Sequence, residues 1–291
     1  MHELGYDGPT TIGDAVALLA QGNARALAGG TDLVPQLREG RRHASRVVDL
    51  KRIAELVAIQ RSADGGWRIG AAANVTRLAR HAELAVAHPG LIEAASLIGS
   101  LQIQNRATLG GNVCNAAPSA DAVPLLIVLA AQAEIAGPAG RRTVTIESIP
   151  RSPGQSILAP GEIVVAILLP PPAARQAARY LRMTPRREMD IAVAGAGAFI
   201  ELDAATGIIA SARIALASVA PTPIRAAAAE AVLIGQRPTP ELFAAAGAAA
   251  AHDAKPISDT RGSADYRREL VAVLTRRALT RCASDLGIAL P

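Results

Sequence analysis

The sequence predicts an α+β protein, and three observations lead there. Its last third sets three strand-like stretches ahead of three helical ones instead of alternating them. Two Gly-Gly pairs, in "LAGGTDL" (27–33) and "TLGGNVCNAAPSAD" (108–121), each follow an apolar stretch and precede small polar residues. Three consecutive prolines at 170–172 break the chain after a long apolar strand. Half of the 291 residues are apolar, enough for more than one core. Only 2% are aromatic, so those cores must be built from Ala, Val, Leu and Ile.

Along the chain, Thr10 or Thr11 caps a first helix in "IGDAVALLAQGN", with Val16, Leu18 and Leu19 as its apolar face. "ARALA" is a short buried strand running into Gly29-Gly30, "DLVPQLR" a helical turn and "SRVVDL" a second strand. Together they make a small β–α–β unit at 1–55. "LVAIQ" and "WRIGAAAN" form a hairpin around Ser62, Asp64, Gly65 and Gly66. Thr76 is expected to cap a helix through about Leu84, and "HPGLIEAASLIGS" is another helix. "SADAVPLLIVLAA" reads as a buried helix, and "QAEIAG", "RRTVTIES" and "EIVVAILLP" as strands that complete a second unit at 56–172. The third unit, 178–291, opens with "YLRMT", "IAVAGAGAFIEL" and "IIASARIALASV" as an antiparallel meander. It closes with helices at 224–235, 240–253 and 264–286.

Composition removes several function classes. The net charge is +5, and all but two of the 30 basic residues are arginine, the exceptions being Lys51 and Lys255. The arginines are scattered, and aromatic side chains for base stacking are scarce, so no nucleic-acid partner is expected. "REGRRHASR" (38–46) is the densest cluster and reads as a solvated loop or a partner-facing patch. The longest apolar run, "AVPLLIVLAA" (122–131), is half of the about 20 residues a membrane span needs. No basic-then-apolar leader opens the chain, so a soluble, cytoplasmic protein is expected. The two cysteines, Cys114 and Cys282, can neither build a disulfide framework nor supply the four thiolates of an ordinary iron–sulfur cluster.

The glycine pairs carry the chemistry. A glycine after a strand lets backbone approach a ligand with no Cβ in the way. Two in succession turn consecutive N–H groups toward one point, a nest that binds anions, commonly phosphate. Thr31 adds a hydroxyl, and a helix starting near Asp32 adds its positive end. Asp32 then serves as a cap or meets a sugar hydroxyl. Thr108, Gly110, Gly111 and Asn112 repeat the parts, with Ser119 and Asp121 downstream. Two such nests suit a ligand with two phosphates, although two ordinary glycine turns would look the same. Neither stretch matches G-x-G-x-x-G or G-x-x-x-x-G-K-[ST], which disfavours Rossmann and Walker sites.

Other residues carry bland readings. Cys114 has no basic neighbour in sequence and reads as an inert thiol. The histidines at 2, 43, 81, 88 and 252 show no metal-ligand spacing and are expected at the surface. Ser119 lacks a nucleophile-elbow setting. Glu188 and Asp190 read as ion-pair partners of Arg186 and Arg187. Trp67 reads as packing, and "ELFAAAGAAAAHDA" as a tight helix-packing face.

At the two glycine stretches the chain resembles the FAD-binding (medium) subunit of the molybdenum hydroxylases, the group of xanthine dehydrogenase and carbon monoxide dehydrogenase. "YLRMTPRREMDIAVAGAGA" (180–198) is similar to the start of that family's C-terminal domain. The resemblance implies a two-subdomain FAD-binding fold of the PCMH type, followed by a C-terminal domain with a three-stranded antiparallel sheet and a helical bundle. It assigns Leu27, Ala28, Gly29, Gly30, Thr31, Asp32, Leu33 and Val34 to a first FAD loop that cradles the pyrophosphate. Ala107, Thr108, Leu109, Gly110, Gly111 and Asn112 form the second. Asp121 would contact the flavin side of the ligand, Val164 would line the isoalloxazine, and Ile98 would lie near it. Arg182 stands where many members have lysine near the flavin's pyrimidine end, keeping the charge but changing its geometry.

The resemblance further implies FAD in this chain, with the molybdenum cofactor and [2Fe–2S] clusters in partner subunits. Electrons would pass from a small [2Fe–2S] subunit, fed by a large molybdenum subunit, through FAD to an external acceptor. No catalytic acid, base or metal ligand is expected here. Two alternatives stand beside it: a self-contained flavin reductase of related fold, and a non-catalytic binding module with structural glycine turns.

Overall fold

The computed structural model describes residues 4–290. Its first sheet is built by β1 (Gly5–Asp7), α1 (Ile12–Ala20), β2 (Ala24–Leu27), α2 (Leu33–Arg38) and β3 (Arg46–Asp49). β3 lies between β1 and β2 and pairs parallel with both. Thr11 provides the first cap, its hydroxyl accepting the Asp14 amide at 3.1 Å. The helix turns Ala15 and Leu19 into the core, while Val16 and Leu18 are half-buried at its margin.

The middle region contains α3 (Ala54–Val57), β4 (Ile59–Arg61), β5 (Trp67–Gly70), α4 (Val75–Ala79), α5 (Ala82–Ala87), α6 (Pro89–Ala95), α7 (Leu101–Gln104) and α8 (Leu109–Cys114). It continues with α9 (Ala122–Val128), β6 (Gln132–Gly137), β7 (Gly140–Thr145), β8 (Pro150–Ser152), β9 (Gln155–Ser156) and β10 (Ile163–Leu169). Five of its strands form an antiparallel sheet in the order β4-β5-β10-β6-β7, so the last long strand returns to the middle. β10 is buried along nearly its whole length, and every residue of α9 is buried against this sheet's core. That burial explains why both read as continuous apolar runs.

Three expectations for this region change. Asn74, not Thr76, caps α4: its side-chain oxygen accepts the Arg77 amide at 2.8 Å. The helix also stops at Ala79, because His81 takes an extended conformation and starts α5. Thr76 instead donates its hydroxyl to Asn105, binding α4 to the loop before the second glycine pair. His88 is buried between α5 and α6, not at the surface. Burial drives its imidazole down to about 4, so it packs as a neutral ring. His81 meets the buried Trp67 edge-on, with centroids 5.2 Å apart, which gives that tryptophan the packing role expected of it.

The last region opens with β11 (Gln176–Met183), β12 (Ala194–Leu202), β13 (Ile209–Ala217) and β14 (Ile224–Arg225). The meander has the expected antiparallel pairing, and β14 adds a short fourth strand to it. α10 (Ala227–Leu233), α11 (Pro240–Asp253) and α12 (Ala264–Asp285) cover one face. Gly247 on α11 sits so close to α12 that a Cβ there would lie 2.5 Å from the Ala272 carbonyl oxygen. Alanine and glycine therefore serve to let the two helix backbones approach. Asp190 pairs with Arg186 at 3.4 Å, as expected.

Side chains lock this region to the middle one. Arg179 on β11 bonds Glu93 of α6 at 2.9 Å and Asp285 at the end of α12 at 2.6 Å. Arg213 on β13 donates to the Val128 carbonyl at the end of α9, with its guanidinium 4.0 Å from the Phe199 ring centroid. Arg267, 3% exposed, anchors α12 by donating to the Val193 and Ser218 carbonyls at 2.6 and 3.0 Å and to Asp259 at 2.6 Å. Replacing one member of such a network leaves its partners unsatisfied. Arg267→Met is expected to lower stability by about 2–4 kcal/mol, read as a fall in the urea midpoint; an unchanged midpoint would show that the anchor contributes nothing.

Candidate functional site

The two glycine stretches meet. Gly29 lies with its Cα against the backbone of the second stretch: a Cβ there would fall 2.3 Å from the Arg106 carbonyl oxygen and 3.0 Å from the Ala107 Cα. Gly30 follows at φ +79°, a left-handed backbone that glycine adopts without strain. The chain thus turns sharply from β2 into α2, with the second stretch as its floor.

A cleft of about 660 Å³ opens over this junction. Its lining comes from residues 19–50 and 71–164, so the first sheet and the middle region share it. Thirteen assigned residues line it: Ala28, Gly29, Gly30, Thr31, Asp32, Leu33, Ile98, Ala107, Thr108, Gly110, Gly111, Asn112 and Val164. Five do not: Leu27, Val34, Leu109, Asp121 and Arg182. Leu27 ends β2, Val34 lies in the first turn of α2 with its side chain largely exposed, and Leu109 is buried in the middle core.

The loops differ in their hydrogen bonds. Among the described residues, the amides of Gly29, Gly30, Thr31 and Asp32 donate to no protein acceptor, and the Thr31 hydroxyl has no partner. These four N–H groups precede the first turn of α2, where the helix end adds partial positive charge. Asp32 occupies the capping position, yet its carboxylate makes no capping bond. Loss of solvent around it raises its pKa, against the opposing pull of Arg41.

The second pair is no turn at all. Gly110 and Gly111 lie in the first turn of α8, capped by Thr108. The Gly110 amide donates to the Ala71 carbonyl at 3.2 Å, the Gly111 amide to the Thr108 hydroxyl oxygen at 2.9 Å, and the Asn112 amide to the Thr108 carbonyl at 3.0 Å. Gly110 is required by packing, since a Cβ there would lie 2.5 Å from the Ala71 Cβ. Gly111 faces the cleft, with only the Thr108 hydroxyl oxygen near its missing Cβ, at 3.0 Å. The donors thus concentrate on the first loop, and at Gly111 the second supplies a stretch of wall with no side chain. The Asn112 side-chain oxygen accepts the Ala122 amide at 3.3 Å, which fixes the start of α9.

Asp121 and Arg182 form a buried ion pair at 2.5 Å, outside the cleft lining. The Tyr180 hydroxyl adds a bond to Asp121 at 3.2 Å. Burial pushes the Asp121 carboxyl up to about 6, against the lowering pull of Arg182 and Tyr180. In this structure the pair joins the start of α9 to β11. Among the described residues, none of the last region lines the cleft.

One wall is not legible in the sequence. Arg42 donates to the Gln36 side-chain oxygen at 2.8 Å and to the Gly154 carbonyl at 2.7 Å, and Gln36 donates to Asn115 at 3.3 Å. These bonds join α2, the end of α8 and the β8–β9 turn. Arg42 thus bonds within the chain, where "REGRRHASR" was expected to be a solvated loop or a partner-facing patch. The only local signal was the turn sequence "SPGQS" (152–156). Cys114 also lines the cleft, and burial pushes its thiol up to about 12. Among the described residues no group of histidine, cysteine or carboxylate side chains could hold a metal ion, and no helix is long and apolar enough to cross a membrane.

The chain is similar to known proteins along nearly its whole length. Residues 2–172 match the family described as FAD binding domain in molybdopterin dehydrogenase, and residues 179–282 that described as CO dehydrogenase flavoprotein C-terminal domain. The xanthine dehydrogenase FAD-binding subunit of Escherichia coli O157:H7 is 34% identical over 284 residues, covering 97% of each chain. The carbon monoxide dehydrogenase medium chain of Hydrogenophaga pseudoflava is 34% identical over 284 residues, covering 96% of this chain and 98% of that one. A solved structure of carbon monoxide dehydrogenase from Hydrogenophaga pseudoflava superposes with a TM-score of 0.92, covering 97% of this chain and 98% of that one at 34% identity. Quinoline 2-oxidoreductase from Pseudomonas putida 86 gives a TM-score of 0.90 at 28% identity, with 97% and 98% covered. With both domains matched and relatives aligned along nearly the whole length, this chain belongs to the FAD-binding, medium-subunit family of the molybdenum hydroxylases.

Proposed function

We propose that the chain holds FAD in this cleft and carries electrons from a partner's [2Fe–2S] cluster to an external acceptor. One observation carries the placement. Four consecutive amides and a hydroxyl have no protein acceptor, in a loop where a side chain at Gly29 would collide with backbone. Such a donor set fits a diphosphate at a helix N-terminus. Apolar wall residues such as Ile98 and Val164 suit flat rings to either side. The cleft volume of about 660 Å³ lies within the range of about 300–1,000 Å³ typical of small-molecule sites.

When bound, FAD supplies two-electron storage that can be filled and emptied one electron at a time, chemistry that no side chain here provides. The chain's own residues bind, orient and exclude water. The first loop holds negative charge through backbone donors. Thr108 keeps the glycine wall of α8 in place. The Cys114 thiol, raised to about 12, stays protonated at neutral pH and acts as a wall rather than a nucleophile. Asp121 and Arg182 brace the last region against the middle one. The matched relatives include medium chains of dehydrogenases. We therefore assign a small [2Fe–2S] subunit and a large molybdenum-cofactor subunit as partners, in a reducing cytoplasm, with three functional units at about 1–55, 56–172 and 178–291.

Expressed alone, the chain is expected to purify yellow, with FAD, and to oxidise neither N-heterocycles nor aldehydes. Turnover driven by NADPH without partners would instead support a self-contained reductase. Gly30→Val forces a branched residue into left-handed backbone, with its Cβ 2.8 Å from the Leu27 Cδ1. It should purify without flavin but with near-native circular dichroism. Gly111→Val, which fills the cleft wall, should also lose flavin. Full flavin content in both variants would overturn the assignment of the cleft.

A further inference from the structure

We infer that Lys51 is a positioning residue that sets the aim of the first glycine loop; this rests on reading the cleft as the FAD site. The Lys51 ammonium donates to the Ala28 carbonyl at 2.7 Å, one residue before Gly29. It also donates to Asp49 Oδ1 at 2.6 Å, and the Lys51 amide bonds the same oxygen at 3.0 Å. The other carboxylate oxygen accepts the Tyr6 hydroxyl at 2.7 Å. A relay therefore runs from β1 through the end of β3 to the loop: Tyr6, Asp49, Lys51, Ala28. Tying the Ala28 carbonyl down on that side fixes the peptide plane that leads into Gly29. On its other side Gly29 rests on Arg106. Between these two supports the loop has little freedom, and its unpartnered amides belong to residues that line the cleft.

The residue type matters. This chain uses arginine almost everywhere, and Lys51 is one of two lysines among 30 basic residues. A compact ammonium can point separate N–H bonds at a carbonyl and a carboxylate, whereas a planar guanidinium is larger and presents a fixed fork. Asp49 is the carboxylate that pairs with the ammonium. Lys51 shares a second, small cleft of about 160 Å³ with Arg77 and Arg106, and no carboxylate lines it. Asp49 is 8% exposed. Burial raises its carboxyl, but the Lys51 ammonium and amide and the Tyr6 hydroxyl outweigh that and hold it below its ordinary value. The acid is thus a charged anchor for the lysine, and the lysine is the part that reaches the loop.

The test uses the full chain with Lys51→Met and Asp49→Asn. FAD affinity is measured by fluorescence titration, ADP affinity by competition, and the environment of the bound diphosphate by ³¹P NMR. Lys51→Met is expected to weaken FAD and ADP at least tenfold and to move the ³¹P resonances. Asp49→Asn, which keeps the ammonium on the Ala28 carbonyl, is expected to cost less affinity for a comparable fall in Tm. An FAD Kd within twofold of the parent, with unmoved resonances, would overturn the inference. So would equal losses of affinity and Tm in both variants, which would mark the relay as merely structural. Should Lys51→Met not fold, Lys51→Gln, whose neutral amide donors sit on a shorter stem, is judged by the same readouts. If Gly30→Val and Gly111→Val also retain FAD, the cleft reading itself falls; if only Lys51→Met is silent, the positioning role alone falls.

Discussion

The backbone of Gly29 rests directly on the backbone of Arg106 and Ala107, and the cleft depends on that contact. It joins two segments nearly eighty residues apart in sequence, one just after β2 of the three-stranded parallel sheet and one between α7 and α8. No side chain larger than hydrogen fits between them. Everything else near the site serves this approach. Lys51 secures the first segment from behind, while Asn74 and Thr76 secure the second through Asn105. Gly110 then lets α8 settle against Ala71.

The contact also explains the unequal roles of two similar glycine pairs. In the first, a left-handed Gly30 turns the chain before a helix can satisfy its amides, so the donors stay free for an anion. In the second, Thr108 caps a helix that takes up both glycines, so their amides bond within the protein. Free donors bind, and bonded glycines make room. A site with one donor loop and one bare wall exposes fewer unsatisfied groups than a site with two donor loops, and it keeps the second wall rigid.

Much of this was legible from local sequence. The apolar stretch entering Gly29-Gly30 predicted the strand-to-helix turn, and the helices expected at 240–253 and 264–286 match α11 and α12. The resemblance of "AGGTDL" and "TLGGNVCNAAPSAD" to paired FAD loops pointed to the family. What was not legible came from distance. The pairing of Asp121 with Arg182 and Tyr180 joins residues about sixty apart, and neither stretch announces it. Arg42 read as part of a solvated loop or a partner-facing patch because one of its partners, the Gly154 carbonyl, lies more than a hundred residues away. The helical fate of Gly110-Gly111 was present as a threonine three residues before a glycine amide. The glycines themselves, poor helix formers, hid it.

Amide hydrogen exchange on the purified chain, with and without FAD, tests the central claim most directly. The account predicts that the amides of Gly29 to Asp32 exchange freely without FAD and become protected when it binds. Those of Gly110, Gly111 and Asn112 should be protected in both states. Protection that appears only at 110–112, with 29–32 unaffected by FAD, would contradict it.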